Sequence, residues 1–291
     1  MFRISIALSL AVLAGCEPED EVVDSDGDGL TDDEEADLGT DPENADSDGD
    51  TISDGDEDAA GLDPLAVDTD GDSYQDNWEQ FEGTDPLDAN SVIYQGMWPY
   101  NMDKAQYEKR TWEDSGNQEG DPLAYFSWED HFGDTVDVYD FADHGKPIMI
   151  DIAAMWCGPC QGISKWLSGT GDPYGWDSVA PHVREAVENG DVYWITLLGD
   201  DLNPNATGDV EPDELNDWTS AFPDDHVAVL GDATGKDGRG DAEFYLLANA
   251  WPTTILYDEH LEVMVGPGNP NGMDFYAPIT ELEEMLANGE L

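Results

Sequence analysis

Two cysteines, Cys157 and Cys160, are the residues of this 291-residue chain whose types and spacing most clearly predict chemistry. They follow an apolar stretch at 148–154 that has the composition of a buried strand, and a helix is predicted from about 159 to 168. Unpaired backbone N–H groups and the positive end of the helix dipole would then face the Cys157 sulfur. Because a thiolate, not a thiol, attacks a disulfide, this placement predicts a redox role for Cys157, with Cys160 placed to attack the mixed disulfide.

Half of a zinc site is the main alternative for a Cys-X-X-Cys pair. The chain has three cysteines, and the third, Cys16, provides no second pair. The histidines show no ligand spacing; they are His131, His144, His182, His226 and His260. The cysteine pair is therefore predicted to have a redox role rather than a structural one, and we expect no metal cofactor in the region around it.

Acidic residues form a second pattern, which repeats every 22 residues. Three twelve-residue loops begin at Asp24, Asp46 and Asp68, with carboxylates at loop positions 1, 3, 5, 9 and 12 and an apolar residue at position 7, whose backbone carbonyl would face the ion. The predicted ligands are Asp24, Asp26, Asp28, Leu30, Asp32, Glu35, Asp46, Asp48, Asp50, Ile52, Asp54, Glu57, Asp68, Asp70, Asp72, Tyr74, Asp76 and Glu79. Oxygen ligands at this spacing favour calcium; the alternative is a disordered acidic linker that happens to repeat.

These loops are not complete EF-hands, because no long amphipathic helix precedes each of them. A spacer recurs as Gly39-Thr40-Asp41-Pro42, Gly61-Leu62-Asp63-Pro64 and Gly83-Thr84-Asp85-Pro86. With this spacer, the unit resembles the thrombospondin type 3 repeats of bacterial surface proteins, which implies calcium binding. The first loop has glycine at position 6, Gly29, whereas Thr51 and Ser73 depart from that pattern in the other two.

The charge of the chain excludes some classes of partner. Its formal net charge is −60, and residues 17–91 contain 30 of the 69 acidic residues. Such a surface repels nucleic-acid phosphates and anionic lipid, so neither is predicted to bind by charge. We expect the acidic segment to act as a calcium-stiffened spacer rather than to fold without a cation.

The N-terminal residues 1–15 read as a signal peptide, with Arg3 followed by an apolar run too short to span a bilayer. The sequence Leu13-Ala14-Gly15-Cys16 resembles the lipobox of bacterial lipoproteins. This resemblance implies cleavage before Cys16 and lipidation of its sulfur, so that the membrane is a partner through the lipid. The alternative is an ordinary signal peptide with a chance cysteine.

Four regions are predicted: the signal peptide 1–15, the lipidated cysteine and repeats 16–91, an extension 92–123, and an α/β domain 124–291. The domain pattern alternates apolar runs with helical stretches, which favours a right-handed crossover and a parallel strand pair. Strands are predicted at 135–141, 148–154, 192–198, 227–230 and 261–265, with a further strand in the stretch 251–257, and helices at 159–168, 178–189, 211–221, 242–249 and 278–288.

The pentapeptide Trp156-Cys157-Gly158-Pro159-Cys160 resembles the active site of the thioredoxin family. Asp151 matches the buried acid of that family, Trp251-Pro252-Thr253 matches its cis-proline loop, and Gly266 matches a family glycine. The resemblance covers roughly 124–288 and implies a thioredoxin-like fold, in which helices flank a central mixed sheet. The strand at 192–198 departs from the family in having no lysine near the acid.

This resemblance implies roles for the matching residues. Cys157 is expected to be the nucleophile, Cys160 the resolving thiol and Asp151 the proton acceptor, with a disulfide joining the two cysteines. The substrate is expected to contact Trp156, Gly158, Pro159, Trp251 and Pro252.

The predicted function is an envelope-anchored thiol-disulfide oxidoreductase that acts on exported proteins and takes electrons from an unidentified donor. Gly-Pro between the cysteines resembles reducing members of the family, so reduction is favoured. The expected location is the bacterial cell envelope, at its periplasmic face or at the cell surface. The alternative is a calcium-dependent surface interaction protein that uses the fold as a scaffold. Peroxide reduction is disfavoured, because no peroxidatic cysteine is evident outside the pair.

Overall fold

The structure is a computed structural model that describes residues 23–111, 114–199, 212–231, 252–267 and 276–291. It divides into two compact units, the first ending at Ser91 and the second beginning at Val92. Within the described residues, no helix has both the length and the apolar character that crossing a membrane requires.

The first unit contains three short helices, each of which follows one acidic loop. They are α1 (Asp32–Leu38), α2 (Asp54–Ala60) and α3 (Asp76–Glu82). Thr31 and Ser53 cap the first two helices by accepting backbone N–H groups, and each of the three ends at a left-handed glycine. The loop-helix-spacer unit of 22 residues is therefore the structural repeat.

The second unit is built on one seven-stranded mixed sheet. Its strands are β1 (Ser127–Asp130), β2 (Thr135–Asp137), β3 (Ile148–Ala154), β4 (Tyr193–Gly199), β5 (Val227–Gly231), β6 (Thr253–Tyr257) and β7 (Val263–Val265), in the spatial order β2-β1-β5-β4-β3-β6-β7. Helices flank this sheet, so the predicted α/β fold class is confirmed. They are α4 (Gly158–Leu167), α5 (Trp176–Val179), α6 (Val183–Glu188), α7 (Pro212–Ala221) and α8 (Tyr276–Asn288).

Strand β3 lies between β4 and β6 in the sheet and leads to the two cysteines. All seven of its residues are buried, which fits its continuous apolar sequence. It pairs in parallel with β4 and antiparallel with β6. The predicted parallel pair is therefore present, and β3 delivers the chain directly to Cys157 at the start of α4.

Two predicted elements differ from the structure. The strand predicted at 135–141 ends at Asp137, and a 3-10 helix continues over Val138–Phe141. The Asp137 carboxylate accepts the N–H of Tyr139 at 2.9 Å, which turns the chain out of the extended conformation. The helix predicted at 178–189 is divided into α5 and α6, with Pro181 between them, where a missing N–H interrupts the helical hydrogen bonds.

The helix predicted at 242–249 lies outside the described residues, whereas β1 was not predicted at all. Its sequence, Ser-Trp-Glu-Asp, has only one large apolar residue, and its pairing with β2 and β5 is set by the rest of the fold.

The segment that precedes β1 packs closely on the sheet unit. Trp98 donates its indole N–H to Asp130 at 2.8 Å, and Leu123 donates its backbone N–H to the Leu261 carbonyl at 2.9 Å. A Cβ at Gly266 would lie 1.8 Å from the backbone oxygen of Asn117, so only glycine allows this approach.

Candidate functional site

A disulfide joins Cys157 and Cys160, whose Cα atoms are 5.3 Å apart. Cys157 is the N-cap residue of α4, and its sulfur accepts the backbone N–H of Cys160 at 3.2 Å. Pro159 lies in the first turn of the helix, where its missing N–H has no intrahelical partner to lose. The N–H groups of this first turn and the helix dipole favour a negative charge on the Cys157 sulfur.

The two cysteines differ in their contact with solvent. Cys157 is 3% exposed and Cys160 is fully buried. Next to them, Trp156 is 46% exposed and Gly158 is exposed, while Pro159 is half-buried. A substrate disulfide can therefore approach Cys157 from the side of Trp156 and Gly158. Cys160 is enclosed by protein and is not accessible from that side.

Asp151 is fully buried in the middle of β3. Among the residues that the structure describes, neither of its carboxylate oxygens has a hydrogen-bond partner. Burial raises the pKa of this carboxyl to about 8, because the charged form loses its hydration without gaining a compensating partner. At neutral pH the group is thus close to its titration midpoint, which suits a group that takes up and releases a proton.

The side chain of Asp151 lies on the same face of the sheet as the cysteines. Side chains alternate along a strand, so Met149, Asp151 and Ala153 share one face of β3. Met149 and Ala153 belong to the buried cluster that also contains Cys157 and Cys160. The carboxyl therefore points into the layer in which α4 packs on the sheet.

Pro252 is buried and directly precedes β6. In the antiparallel pairing of β6 with β3, Thr253 lies opposite Ile152, so the start of β6 adjoins the end of β3 that leads to the cysteines. This places Pro252 at the same edge of the sheet as the disulfide. Trp251, the other residue predicted in this loop, lies outside the described residues.

The acidic loops of the first unit bring their first three predicted ligands together. In each loop, carboxylate oxygens at positions 1, 3 and 5 lie within 4.8 Å of one another. These sets are Asp24, Asp26 and Asp28; Asp46, Asp48 and Asp50; and Asp68, Asp70 and Asp72.

Position 12 of each loop adds a buried glutamate. Both carboxylate oxygens of Glu35 and Glu57 are buried without a hydrogen-bond partner among the described residues. Glu79 has one such oxygen, and Thr84 donates to its other oxygen at 3.0 Å. Burial, followed by the nearby aspartates, raises the pKa of Glu57 to about 8 and that of Glu79 to about 7. A bound cation would satisfy these buried acceptors in their charged form, and a set of oxygen ligands alone fits calcium.

The aspartates at position 9 have a different environment from the other predicted ligands. Asp32 accepts both the backbone N–H and the hydroxyl of Ser25, at 3.0 and 2.9 Å. Asp54 and Asp76 accept the same pair of donors from position 2 of their own loops. Position 9 therefore closes the loop through side-chain hydrogen bonds, a contact that the ligand pattern did not predict.

The apolar residues at position 7 tie their loops to position 5. Leu30, Ile52 and Tyr74 each donate their backbone N–H to the aspartate at position 5, at 2.8 Å in every loop. This bond orients the carboxylate. The side chains of Leu30 and Tyr74 are buried, which holds this part of each loop in place.

The residues that replace glycine at position 6 adopt the conformation that glycine would. Thr51 has φ 83° and Ser73 has φ 89°, both in the left-handed region, where a side chain costs about 1 kcal/mol or more. Their N–H groups donate to Asp46 and Asp68, at 3.0 and 2.8 Å, which offsets part of this cost. The second and third loops therefore keep the geometry of the first despite the sequence change.

Consecutive repeats are joined through position 5. Asp28 accepts the backbone N–H of Gly55 at 2.8 Å, and Asp50 accepts that of Asn77 at 3.3 Å. The amide of Asn77 also donates to the Asp50 carbonyl. In the last loop the corresponding oxygen of Asp72 is buried and has no hydrogen-bond partner. A carboxylate of one loop is thus bonded to the helix of the next, a link that no single-loop motif could reveal.

Comparison with protein families supports the assignment of the repeats. Residues 24–45 and 68–89 match the model of the bacterial TSP3 repeat, so the resemblance to thrombospondin type 3 repeats is confirmed for these segments. A comparison with curated proteins found no match.

Solved structures similar to this chain include several thioredoxin-like proteins. The exposed lipoprotein thioredoxin Etrx1 of Streptococcus pneumoniae is 22% identical over 55% of this chain and 99% of its own, with a TM-score of 0.35. The thioredoxin domain of a thiol-disulfide oxidoreductase from Bacteroides vulgatus is 18% identical over 57% and 99%, with a TM-score of 0.35. A thioredoxin-like protein from Bacteroides caccae is 15% identical over 55% and 49%, with a TM-score of 0.36.

The thioredoxin-like arrangement expected from the sequence is present in the second unit. A buried central strand leads into the Cys-X-X-Cys helix, a parallel strand follows, and an antiparallel strand preceded by Pro252 pairs on the other side. The assignment follows from this order of elements within the described residues.

Proposed function

We propose that this chain is a thiol-disulfide oxidoreductase that reduces or exchanges disulfides of exported proteins. The observation that carries the proposal is the pair Cys157–Cys160 at the N-terminus of α4, above a buried acid on the same face of the sheet. The N-terminus of α4 stabilises the thiolate form of Cys157, and the buried carboxyl of Asp151 can accept the proton of Cys160.

Reduction of a substrate disulfide begins at Cys157. Its thiolate attacks one substrate sulfur, the substrate S–S bond breaks, and the other substrate sulfur leaves as a thiolate that takes a proton from solvent. The product of this step is a mixed disulfide between Cys157 and the substrate.

Cys160 completes the reaction. Asp151 takes the proton from the Cys160 thiol, and the resulting thiolate attacks the Cys157 sulfur, so that the mixed disulfide breaks and the substrate leaves with its second sulfur reduced. The two electrons come from the cysteine pair, which ends as the Cys157–Cys160 disulfide. A donor dithiol, from another exported or membrane protein, must reduce this disulfide before the next cycle.

The edge around the pair is proposed to bind the substrate chain. Trp156 supplies an exposed aromatic surface, Gly158 leaves space above the first turn of α4, and Pro252 lies at the adjoining start of β6. Pro159 and Trp251 complete the proposed contact set.

The N-terminal region is proposed to anchor and space the redox unit in the cell envelope. Lipidation of Cys16 would attach the chain to a membrane, and calcium in the three loops would neutralise the carboxylates and stiffen the segment between lipid and redox unit. The residues that would hold calcium are those at positions 1, 3, 5 and 12, with the carbonyl at position 7.

Insulin-disulfide reduction tests the enzymatic proposal. With dithiothreitol as donor, the chain should accelerate precipitation of the insulin B chain, and Cys157→Ser should abolish the acceleration. Lys165→Ala, an exposed change on the same helix, is the control that should retain it. Equal activity of the Cys157→Ser variant would contradict the proposal and favour a calcium-dependent surface interaction protein, a role that the three preorganised acidic loops would support.

A further inference from the structure

Asp151 belongs to a row of buried polar side chains that crosses three strands. On β4 the residue paired with it is Thr196, and on β6 it is Thr254. Directly paired residues project from the same face of a sheet, and neighbouring strands lie about 4.8 Å apart. The two hydroxyl groups therefore flank the Asp151 carboxyl on the face that carries the cysteines.

Thr196 is the member of this row with unused hydrogen-bonding capacity. It is 1% exposed, and its hydroxyl has no hydrogen-bond partner within the described part of the chain. Both oxygens of Asp151 also lack partners, whereas Thr254 is already engaged in another interaction. An unpaired buried donor and an unpaired buried acceptor on paired residues gain by bonding to each other, and the Thr196 hydroxyl can turn toward the carboxyl by rotation about the Cα–Cβ bond.

We propose that Thr196 is a positioning residue for the proton acceptor, whose hydroxyl donates a hydrogen bond to the Asp151 carboxylate when that group is ionised. This inference rests on the proposed exchange reaction, in which Asp151 must be ionised to take the Cys160 proton. The contact holds the carboxylate in one orientation and stabilises the charged form in a layer that water does not reach.

The titratable groups around Asp151 do not take this role. On α4 the titratable groups that face the same layer are Cys157 and Cys160, while Lys165 is on the exposed side of the helix. Tyr193 on β4 and Tyr257 on β6 are paired with Ile148, which projects from the opposite face of β3. Within the described residues, desolvation is the one cause of the raised pKa of Asp151, and no charged group contributes.

The direction of the effect follows from which form is bonded. A hydrogen bond to the carboxylate lowers the pKa of Asp151 relative to its value without that bond. Replacing Thr196 by valine, which has nearly the same shape, removes the donor and should raise the pKa. A bond to a charged group that contributes about 1.5 kcal/mol corresponds to about one pH unit.

The test uses the full chain with the disulfide closed, so that the cysteines do not titrate. The Asp151 carboxyl is titrated by its carbon chemical shift in the wild type, Thr196→Val, Thr196→Ser and Thr254→Val. We expect Thr196→Val to raise the Asp151 pKa by about one unit, Thr196→Ser to restore it, and Thr254→Val to change it much less. An unchanged pKa in a folded Thr196→Val variant, or an equal shift in Thr254→Val, overturns the proposal.

A second measurement follows the reaction. In single-turnover reduction of a peptide disulfide, the pH midpoint for release of substrate from the mixed disulfide should move upward in Thr196→Val by the same amount as the pKa. A shifted pH midpoint supports the proposal. An unchanged midpoint in a Thr196→Val variant that still catalyses thiol-disulfide exchange overturns the claim that Thr196 acts in substrate release. If the wild type shows no exchange while the carbon titration shifts as expected, the proposed function fails and the contact between Thr196 and Asp151 stands.

Discussion

Substitution of Gly55 by alanine tests whether the acidic loops bind calcium as linked units. Gly55 is the second residue of α2, and its N–H donates to Asp28 of the preceding loop. A Cβ at this position would lie 2.5 Å from the Asp28 backbone oxygen and 3.2 Å from its backbone carbon. Because these are backbone atoms, the first loop has to move away from α2 and the hydrogen bond is lost.

The magnitude follows from two opposing contributions. The lost bond has a carboxylate acceptor and contributes about 1.5–3 kcal/mol. Alanine in place of glycine stabilises a helix by at most about 1 kcal/mol. The net loss is about 1 kcal/mol, which corresponds to roughly five-fold weaker calcium binding if it falls on the linked loops. If Gly55 made no contact with Asp28, the same substitution would stabilise α2 and tighten calcium binding. The direction of the change in calcium affinity therefore shows whether the two repeats are linked.

Calcium titration of the full chain by calorimetry and circular dichroism provides the measurement. Gly55→Ala should raise the calcium concentration at the midpoint and make the titration less steep. Asp33→Ala is the matched control, because Asp33 holds the same position in α1, is exposed, and follows no earlier loop. A wild-type midpoint in Gly55→Ala, a lower midpoint, or an equal change in the control would refute the link between repeats.

Three further predictions concern the redox unit and the metal. Asp151→Asn should raise the free energy of unfolding by about 4 kcal/mol at pH 7, because the native pKa of Asp151, about 8, lies above the unfolded value of 3.8. The wild type loses stability as the pH rises from 3.8 to about 8. Urea unfolding at several pH values should therefore show a weaker dependence of stability on pH in the variant. Trp156→Ala should raise KM for a peptide disulfide several-fold with little change in kcat, because the exposed ring is proposed to contact substrate and no core is lost; steady-state kinetics would measure both constants. Chelation of calcium should lower the melting temperature of the repeat unit and leave the sheet unit unchanged, and calorimetry with magnesium added back should restore much less than calcium does.

The sequence predicted the elements whose signals are local. The run of apolar residues in β3 identifies a buried strand, and Pro159 marks the first turn of α4. The predicted bounds of both elements agree with the structure to within one residue. Loop positions 1, 3 and 5 were likewise predictable, because the ligand pattern is fixed by spacing within twelve residues.

The features that the sequence did not reveal depend on distant pairing. The Asp28–Gly55 bond joins residues 27 positions apart, and the pairing of Asp151 with Thr196 requires the register of two strands. The short strand β1 was missed for the same reason, since its pairing with β5 compensates for a polar sequence. Local patterns identify groups that can do chemistry, whereas register determines which of them meet.

The difference in burial between the two cysteines determines where a proton acceptor is needed. Cys157 lies at the surface end of the pair, so its thiolate can be stabilised by the N-terminus of α4 and can exchange its proton with solvent. Cys160 is fully buried, so in the proposed second step its proton is expected to pass to a group inside the protein rather than to solvent. In the proposed reaction, the buried acid with a pKa of about 8 therefore acts in the resolution step and not in the first attack. Loss of Asp151 should accordingly leave mixed-disulfide formation intact and make that intermediate accumulate.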